Sequence, residues 1–218
     1  MRRFLLGLVL VLAVVLIVAY AFQGPITLRL MDRVVAQRLN ANLIDELPDG
    51  LHVALCGAGS PLPDPDRSGP CTAVIAGDDL YIVDSGSGSS RVRSQMQIPQ
   101  GAIDAILLTH FHSDHIDGLG DTILQAWVNG SRTEPMPLIG PEGVQEIAKG
   151  LKDTYRQDQL YRTAHHGEEI VPPSGFGAVA QPFTQPEAGE GVVILDLSLI
   201  HISEPTRPRL ISYAVFCL

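Results

Sequence analysis

The 218-residue sequence predicts an α/β protein that is built around a mixed β-sheet. Two β-hairpin patterns come first, and strands then alternate with helical segments along the chain. One apolar strand runs directly into a dense group of histidine and aspartate residues. With 45% hydrophobic residues and a net charge of −9, the composition excludes a disordered chain. The acidic balance argues against nucleic acid as a partner, because nucleic-acid binding depends on a basic surface.

The first 25 residues form an apolar segment that predicts a membrane anchor or a signal peptide. Arg2 and Arg3 precede an apolar run from Phe4 to Phe22, which as a helix is long enough for a bilayer core of about 30 Å. The positive-inside rule keeps the arginines in the cytoplasm and places the rest of the chain outside it, which is the periplasm if the source is a Gram-negative bacterium. We favour an uncleaved anchor, and the Ala-Tyr-Ala sequence at 19–21 leaves a secreted, cleaved form as the alternative.

Two further segments flank the predicted domain, which covers residues 49–196. Residues 26–48 combine apolar and charged positions at helical spacing, which predicts an amphipathic stalk helix. Residues 197–218 resemble a translated sequencing adapter, so we treat them as a non-native tail and exclude them from the fold. On this interpretation the chain is truncated, and the natural sequence continues beyond Asp196.

Glycine and proline set the limits of the first strands of the domain. Residues 51–56 are expected to form a strand, and the Gly- and Pro-rich loop after it cannot be helical. Residues 71–76 and 80–83 are expected to pair as a hairpin around the turn at 77–79. The expected elements that follow are a loop at 85–90, strands at 104–109, 137–139 and 189–195, and helices at 119–127, 142–151 and 154–161.

Cys56 and Cys71 lie at the ends of two of these strands. Buried free thiols behave as small apolar side chains, and we expect this state for both residues. A disulfide between them is the alternative, because an exported domain lies in an oxidising environment.

The chemistry lies in residues 109–118, Thr-His-Phe-His-Ser-Asp-His-Ile-Asp-Gly. Four potential metal ligands fall within six residues after an apolar strand: His110, His112, Asp114 and His115. The two leading histidines point the same way along an extended chain, and the turn brings Asp114 and His115 to a second position. Two such positions suit two divalent ions, Zn²⁺ first and Mn²⁺ as the alternative. A hydroxide activated by the ions would be the nucleophile.

The order His-x-His-x-Asp-His after a strand resembles the signature of the metallo-β-lactamase-fold hydrolases. The strand that ends at Asp84 and the opening loop through Arg67 are similar to the ribonuclease Z-like and arylsulfatase-like branch. The resemblance implies a four-layer αββα sandwich, of which only the N-terminal part is present. It assigns one ion to the histidine pair and the other to the Asp114–His115 pair. It also implies that Asp114 accepts or donates a proton, and that Asp84 supports the ligands from behind.

The resemblance also implies three later metal ligands, namely a third histidine, a bridging aspartate and a last histidine. The cluster His165-His166-Gly-Glu168 lies in an expected loop, and we interpret it as a substrate-side or loop feature rather than as a ligand set. The expected function is hydrolysis of a phosphoric or sulfuric ester in a small-molecule or phosphodiester substrate. A lactam or lactone hydrolase and a non-catalytic metal-binding sensor or assembly module are the alternatives. Because the later ligands are missing, we expect this chain to bind metal weakly and to be nearly inactive.

Overall fold

The computed structural model describes residues 42–62 and 64–184, together with residues 4, 7, 12, 14, 20, 22–24 and 27–31. The chain divides into two compact units, Met1–Ala41 and Asn42–Leu218. Every described residue of the first unit is helical and exposed. None of the helices traced through the described residues combines the length and the apolar composition that a membrane crossing requires. The predicted anchor over 1–25 falls largely outside the described residues, and the predicted strand at 189–195 and the tail at 197–218 fall entirely outside them.

The end of the predicted stalk over residues 26–48 has a different structure from the expected one. Ile44–Glu46 form a short 3-10 helix in the second unit, and Ile44 is buried in the hydrophobic core there. Leu47 already has an extended backbone, because the following Pro48 disfavours a helical conformation for the residue before it. This end of the segment is therefore a turn rather than part of an amphipathic helix.

Six strands of the described residues form one mixed sheet, in the order in which they occur along the chain. Antiparallel pairing joins the first strand to the second and the second to the third. The third to sixth strands run parallel to one another. The predicted α/β class with a mixed sheet is thus confirmed. The strands are β1 (Leu51–Gly57), β2 (Cys71–Ala76), β3 (Asp79–Val83), β4 (Ile103–Leu107), β5 (Met136–Pro141) and β6 (Ala178–Phe183).

The α-helices of this unit are α1 (Ser89–Gln95), α2 (Ser113–Ile116), α3 (Leu119–Gly130) and α4 (Val144–His166). The prediction of two helices at 142–151 and 154–161 is wrong, because α4 is continuous. Lys149 and Asp153 form an ion pair of 2.6 Å one turn apart, across the expected break. The sequence did not predict β6 or α1, and α1 begins inside the loop that is expected at residues 85–90.

The two faces of the sheet differ in what covers them. On one face the helices bury a continuous core that includes Ala73, Ile82, Ile106, Leu119, Leu138 and Val144. On the other face a smaller cluster joins Ala105, Leu107 and Ile139 to the partly buried Tyr81, Val83 and Phe183. Leu51, Val53 and Leu55 of β1 are exposed at the margin of that second face. The described residues therefore form one helical layer and one sheet.

Cys56 and Cys71 form a disulfide, so the expectation of two free thiols is wrong. The register of β1 and β2 shifts between Leu55 and Gly57, and this irregularity places Cys56 beside the first residue of β2. The two Cα atoms are 5.0 Å apart, which is within the range that a disulfide can join. Neither residue type nor spacing could reveal this shift, because it depends on the pairing of the strands.

Candidate metal centre

The predicted ligands lie where two parallel strands end at the same edge of the sheet. β3 leads into Asp84, and β4 leads through Thr109 into His110. The Asp84 N–H donates to the carbonyl of Leu107 at 2.8 Å, which ties the two strand ends together. The carboxyl ends of parallel strands are the usual place for functional groups in α/β sheets. The topology therefore brings Asp84 beside a segment that begins 25 residues later in the sequence.

Asp84 is buried, and its carboxylate holds the ligand segment through three hydrogen bonds. The backbone N–H of Thr109 donates to Oδ1 at 2.9 Å, and the Thr109 hydroxyl donates to Oδ2 at 2.8 Å. The Nδ1–H of His115 donates to the same Oδ2, also at 2.8 Å. Since Nδ1 of His115 carries the proton, its Nε2 is left with a free lone pair, which is the form in which histidine binds a metal.

A second histidine is oriented through Thr109. The Thr109 hydroxyl gives its proton to Asp84, so its oxygen accepts the Nδ1–H of His110 at 2.9 Å. The Nε2 atom of His110 then faces Nδ1 of His112 at 3.1 Å. Burial, followed by the neighbouring His115 and His112, lowers the pKa of His110 from its usual value. The neutral imidazole, which is the metal-binding form, is thereby favoured.

The four predicted ligand residues lie close together. The ring centroid of His110 is 4.0 Å from that of His115 and 4.6 Å from that of His112. Nε2 of His115 is 3.6 Å from Oδ2 of Asp114. The nearest donors thus form two pairs, one of two imidazoles and one of an imidazole and a carboxylate.

The donor chemistry fits divalent zinc or manganese, which bind imidazole nitrogen and carboxylate oxygen. Within residues 42–62 and 64–184 and the isolated described positions, no three His, Cys, Asp or Glu side chains are already arranged around one ion. His110 with His112 would contribute two ligands to one ion, and Asp114 with His115 would contribute two to another. The number and identity of the ions stay predictions.

Glycines allow the loop after β3 to pack directly against the ligand segment. A Cβ atom on Gly86 would collide with the carbonyl oxygen of Asp114 and with the backbone of Gly69. A Cβ atom on Gly118 would collide with the carbonyl of Gly86. Gly118 is the last residue of the ligand segment that the sequence predicts. A requirement for glycine at position 86 was not predicted, although a glycine two residues after a strand-end aspartate is the signal that could have found it.

The His165-His166 pair lies at the C-terminal end of α4 instead of in a loop. Both rings are exposed and contact each other at 4.7 Å between centroids. Among the described contacts, neither ring forms a hydrogen bond with the ligand segment. The cluster is therefore a helix end, and the structure gives it no link to the candidate metal centre.

An open cleft of about 880 Å³ lies between the loop that follows β1 and helix α1. It extends to Asp114, so that one predicted ligand forms part of its wall. Charged side chains of both signs line the cleft, including Asp64, Asp66, Arg67, Arg91, Asp114 and Asp117. The cleft is a route by which a substrate can reach the candidate metal centre.

Comparison with known proteins identifies the family. The Metallo-beta-lactamase superfamily matches residues 64–207, which cover most of the described second unit and the first residues of the predicted tail. A helix-covered mixed sheet with histidine and aspartate donors at its edge is a fold and site of this class. The chain belongs to the metallo-beta-lactamase superfamily.

Several curated relatives to which the chain is similar carry the name ribonuclease Z. The chain is 41% identical to "Ribonuclease Z" of Mycobacterium bovis over 125 residues, which are 56% of this chain and 45% of the relative. It is 38% identical to "Ribonuclease Z" of Mycolicibacterium gilvum over 145 residues, 66% of this chain and 48% of the relative. The crystal structure of the short form of human tRNase Z aligns with a TM-score of 0.46 and 21% identity, over 62% of this chain and 45% of that one. The chain thus spans about half the length of the curated relatives that it matches, and their names conflict with the expectation against nucleic acid.

Proposed function

We propose that the protein is a metal-dependent phosphodiester hydrolase. The observation that carries the proposal is the cluster of His110, His112, Asp114 and His115, with Asp84 fixed beneath it. The identity of 41% to proteins named ribonuclease Z supports a phosphodiester ahead of a sulfuric ester. Divalent ions bound at the cluster would supply the Lewis acidity that activates water and stabilises negative charge on phosphate oxygens.

The residues of this chain have separate roles in the proposed reaction. Asp84 and Thr109 orient His110 and His115. The Nε2 atom of His115 accepts no hydrogen bond among the described residues, whereas the Nε2 atom of His110 faces Nδ1 of His112. Asp114 has a side chain that is only 11% exposed, yet it lines the cleft. In the proposed reaction it would take a proton from the attacking water or give one to the leaving oxygen, and its position on the cleft wall supports this role.

The cleft favours an anionic substrate at two positions. Arg67 and Arg91 are exposed on its walls, and guanidinium groups bind phosphate oxygens in a bidentate manner. Asp64 stands 3.8 Å from Arg67 and competes for it. Asp66, Asp114 and Asp117 also line the cleft, so its lining is net acidic, and phosphate groups would be bound at the two guanidinium groups and by the metal ions themselves. RNA is the first diester to test because of the names of the relatives, and a small diester is the second.

The test is a panel of substrates with added Zn²⁺ or Mn²⁺ and the purified full-length product of the intact gene, because the 218-residue chain is expected to be nearly inactive. The panel contains structured RNA, bis-p-nitrophenyl phosphate, p-nitrophenyl sulfate, a β-lactam and a lactone. We expect hydrolysis of a phosphodiester that falls at least about 100-fold in His112→Ala. His166→Ala is the matched control, because it removes an exposed histidine far along α4, and it should retain full activity.

The results distinguish the candidate functions. Bound metal without hydrolysis of any substrate would support the non-catalytic metal-binding module and contradict the proposal. Hydrolysis of the lactam or lactone alone would move the assignment to that branch. Phosphodiester hydrolysis that His112→Ala does not reduce would show that another site is responsible.

We also propose that the apolar run from Phe4 to Phe22 exports and anchors the protein. Arg2 and Arg3 before the run support this orientation. Alkaline phosphatase fused after Val53 should be active, since this reporter folds only outside the cytoplasm. An inactive fusion that accumulates in the cytoplasm would contradict the localisation.

A further inference from the structure

Arg93 of α1 is a completely buried cation, at 0% exposure. Burial lowers the pKa of Arg93 to about 10, and Asp121 acts in the opposite direction. None of the ion pairs formed by the described residues includes it, and its Nε atom has no hydrogen-bond partner. Burying a charge without a partner of opposite sign is costly. An apolar side chain would fill this position at lower cost, so the guanidinium needs a specific explanation.

The guanidinium is bound by neutral groups from several parts of the fold. Nη1 donates to the Ser89 hydroxyl at 3.2 Å and to Sγ of Cys71 at 3.3 Å. Nη2 donates to the Thr122 hydroxyl and, at 3.4 Å, to Oε1 of Gln100. Arg93 thus joins α1, β2, α3 and the segment before β4 through one rigid planar group.

Two of these contacts lead towards the candidate metal centre. The Ser89 hydroxyl lies 3.4 Å from the hydroxyl of Ser85, and the shorter connection runs through Thr122. The Thr122 hydroxyl lies 2.6 Å from the hydroxyl of Ser85, the residue that follows Asp84. The backbone of Ser85 in turn contacts the C-terminal part of α2, the helix that carries the Asp-His ligand pair, and the residue two positions after that helix. The Ser85 N–H donates to the carbonyl of His115 at 2.8 Å, and the Gly118 N–H donates to the carbonyl of Ser85 at 2.8 Å.

We propose that Arg93 is a positioning residue for the metal-ligand segment. It fixes the Thr122 hydroxyl, Thr122 fixes Ser85, and the Ser85 backbone then holds α2 in place. Only the identification of α2 as part of a metal site rests on the proposed function. The hydrogen-bonded path runs from the Arg93 guanidinium through the neutral groups of Thr122 and Ser85 and requires no metal ion.

The competing explanation is that Arg93 merely joins α1 to the neighbouring elements. Two substitutions separate the explanations. Thr122→Val keeps the shape of the side chain and removes the hydroxyl that leads to Ser85. Gln100→Met removes the contact on the other side of the guanidinium. It also removes the hydrogen bonds of Gln100 with Ser90 and Ser94, so that it is the more disruptive change.

The experiment measures amide hydrogen exchange in the full chain without added metal, together with the melting temperature. In Thr122→Val we expect the Ser85 and Gly118 amides to exchange about tenfold faster, as for the loss of one buried hydrogen bond. Gln100→Met should lower the melting temperature and leave these two amides unchanged relative to the rest of the protein. Arg93→Met should behave like Thr122→Val, because it removes the Nη2 donor to Thr122 as well as the Nη1 donor to Ser89.

A Zn²⁺ titration of the same variants completes the test. Thr122→Val should bind Zn²⁺ about tenfold more weakly than the wild type, the same factor as for amide exchange. Gln100→Met should bind Zn²⁺ as tightly as the wild type. Unchanged exchange at Ser85 and Gly118 in Thr122→Val would overturn the inference. Equal acceleration in Gln100→Met would overturn it as well, because it would show a general structural role. A wild-type chain that binds no Zn²⁺ but shows the expected exchange pattern would contradict the proposed function alone.

Discussion

Replacing Asp84 by asparagine should switch the His115 ring to its other tautomer, with the proton on Nε2 instead of Nδ1. The carboxylate now accepts the Nδ1–H of His115 and two hydrogen bonds from Thr109. An amide of the same shape can accept the backbone N–H, but its NH₂ group then faces Nδ1 of His115 as a donor. The proton of His115 would therefore move to Nε2 and block the atom that is left free for a metal.

The size of the effect follows from the bond that is lost. A hydrogen bond to a charged group contributes about 1.5–3 kcal/mol. At about 1.4 kcal/mol for each factor of ten, Asp84→Asn should weaken Zn²⁺ binding by about 10- to 100-fold. The loss of a residue that orients a metal ligand has an effect of the same order.

The assay is a competition titration of Zn²⁺ against a chromophoric chelator, with ¹⁵N NMR of His115 to identify its tautomer. Asp104→Asn is the matched control, because it makes the same change of charge in an aspartate that accepts a backbone hydrogen bond from Leu80 at 2.8 Å, at the other end of β4. Zn²⁺ binding by Asp84→Asn within about twofold of the wild type would refute the reasoning. An equal loss in Asp104→Asn would refute it too.

Three other predictions concern stability. Gly86→Ala should disrupt the contact with the Asp114 carbonyl and lower the melting temperature by several degrees. At Gly150 in α4, an added Cβ meets nothing within 4 Å. Gly150→Ala should therefore stabilise the protein by about 0.5–1 kcal/mol in denaturant titrations. Cys71→Ala opens a disulfide with a sequence separation of 15 and should cost about 3 kcal/mol of unfolding free energy; an unchanged midpoint would contradict the pairing. Burial raises the pKa of Asp104, so the native state holds its proton more tightly and wild-type stability falls as the pH rises above the usual aspartate value. Asp104→Asn should therefore gain stability relative to the wild type as the pH rises above the usual aspartate pKa, and a difference that does not change with pH would argue against the shift.

The sequence predicted the parts of this protein that are determined locally. The ligand residues fall within one short segment, so a strand followed by a turn is enough to bring His110, Asp114 and His115 together. The strand-end position of Asp84 also follows from a short pattern, and the parallel pairing of β3 with β4 places it beside the segment. The hydrogen bonds that select the tautomers came only from the structure.

The features that the sequence analysis missed depend on contacts between distant segments. The disulfide requires the shifted register of β1 and β2, and β6 contains Pro182, which is atypical of a strand. The continuous α4 has no breaking residue at the expected gap, and periodicity alone was too weak to join its two halves. The buried Arg93 has no sequence signature, because arginine is ordinarily an exposed residue.

The unequal coverage of the sheet determines which substitutions β1 can tolerate. Ala54 and Cys56 face the helices, whereas Val53 and Leu55 point the other way and are 63% and 68% exposed. Apolar side chains that remain in water contribute little to the free energy of folding. In a deep mutational scan of this chain, tolerance to polar substitution should therefore alternate from one residue of the strand to the next. Polar replacements should be accepted at Val53 and Leu55 and rejected at the positions beside them.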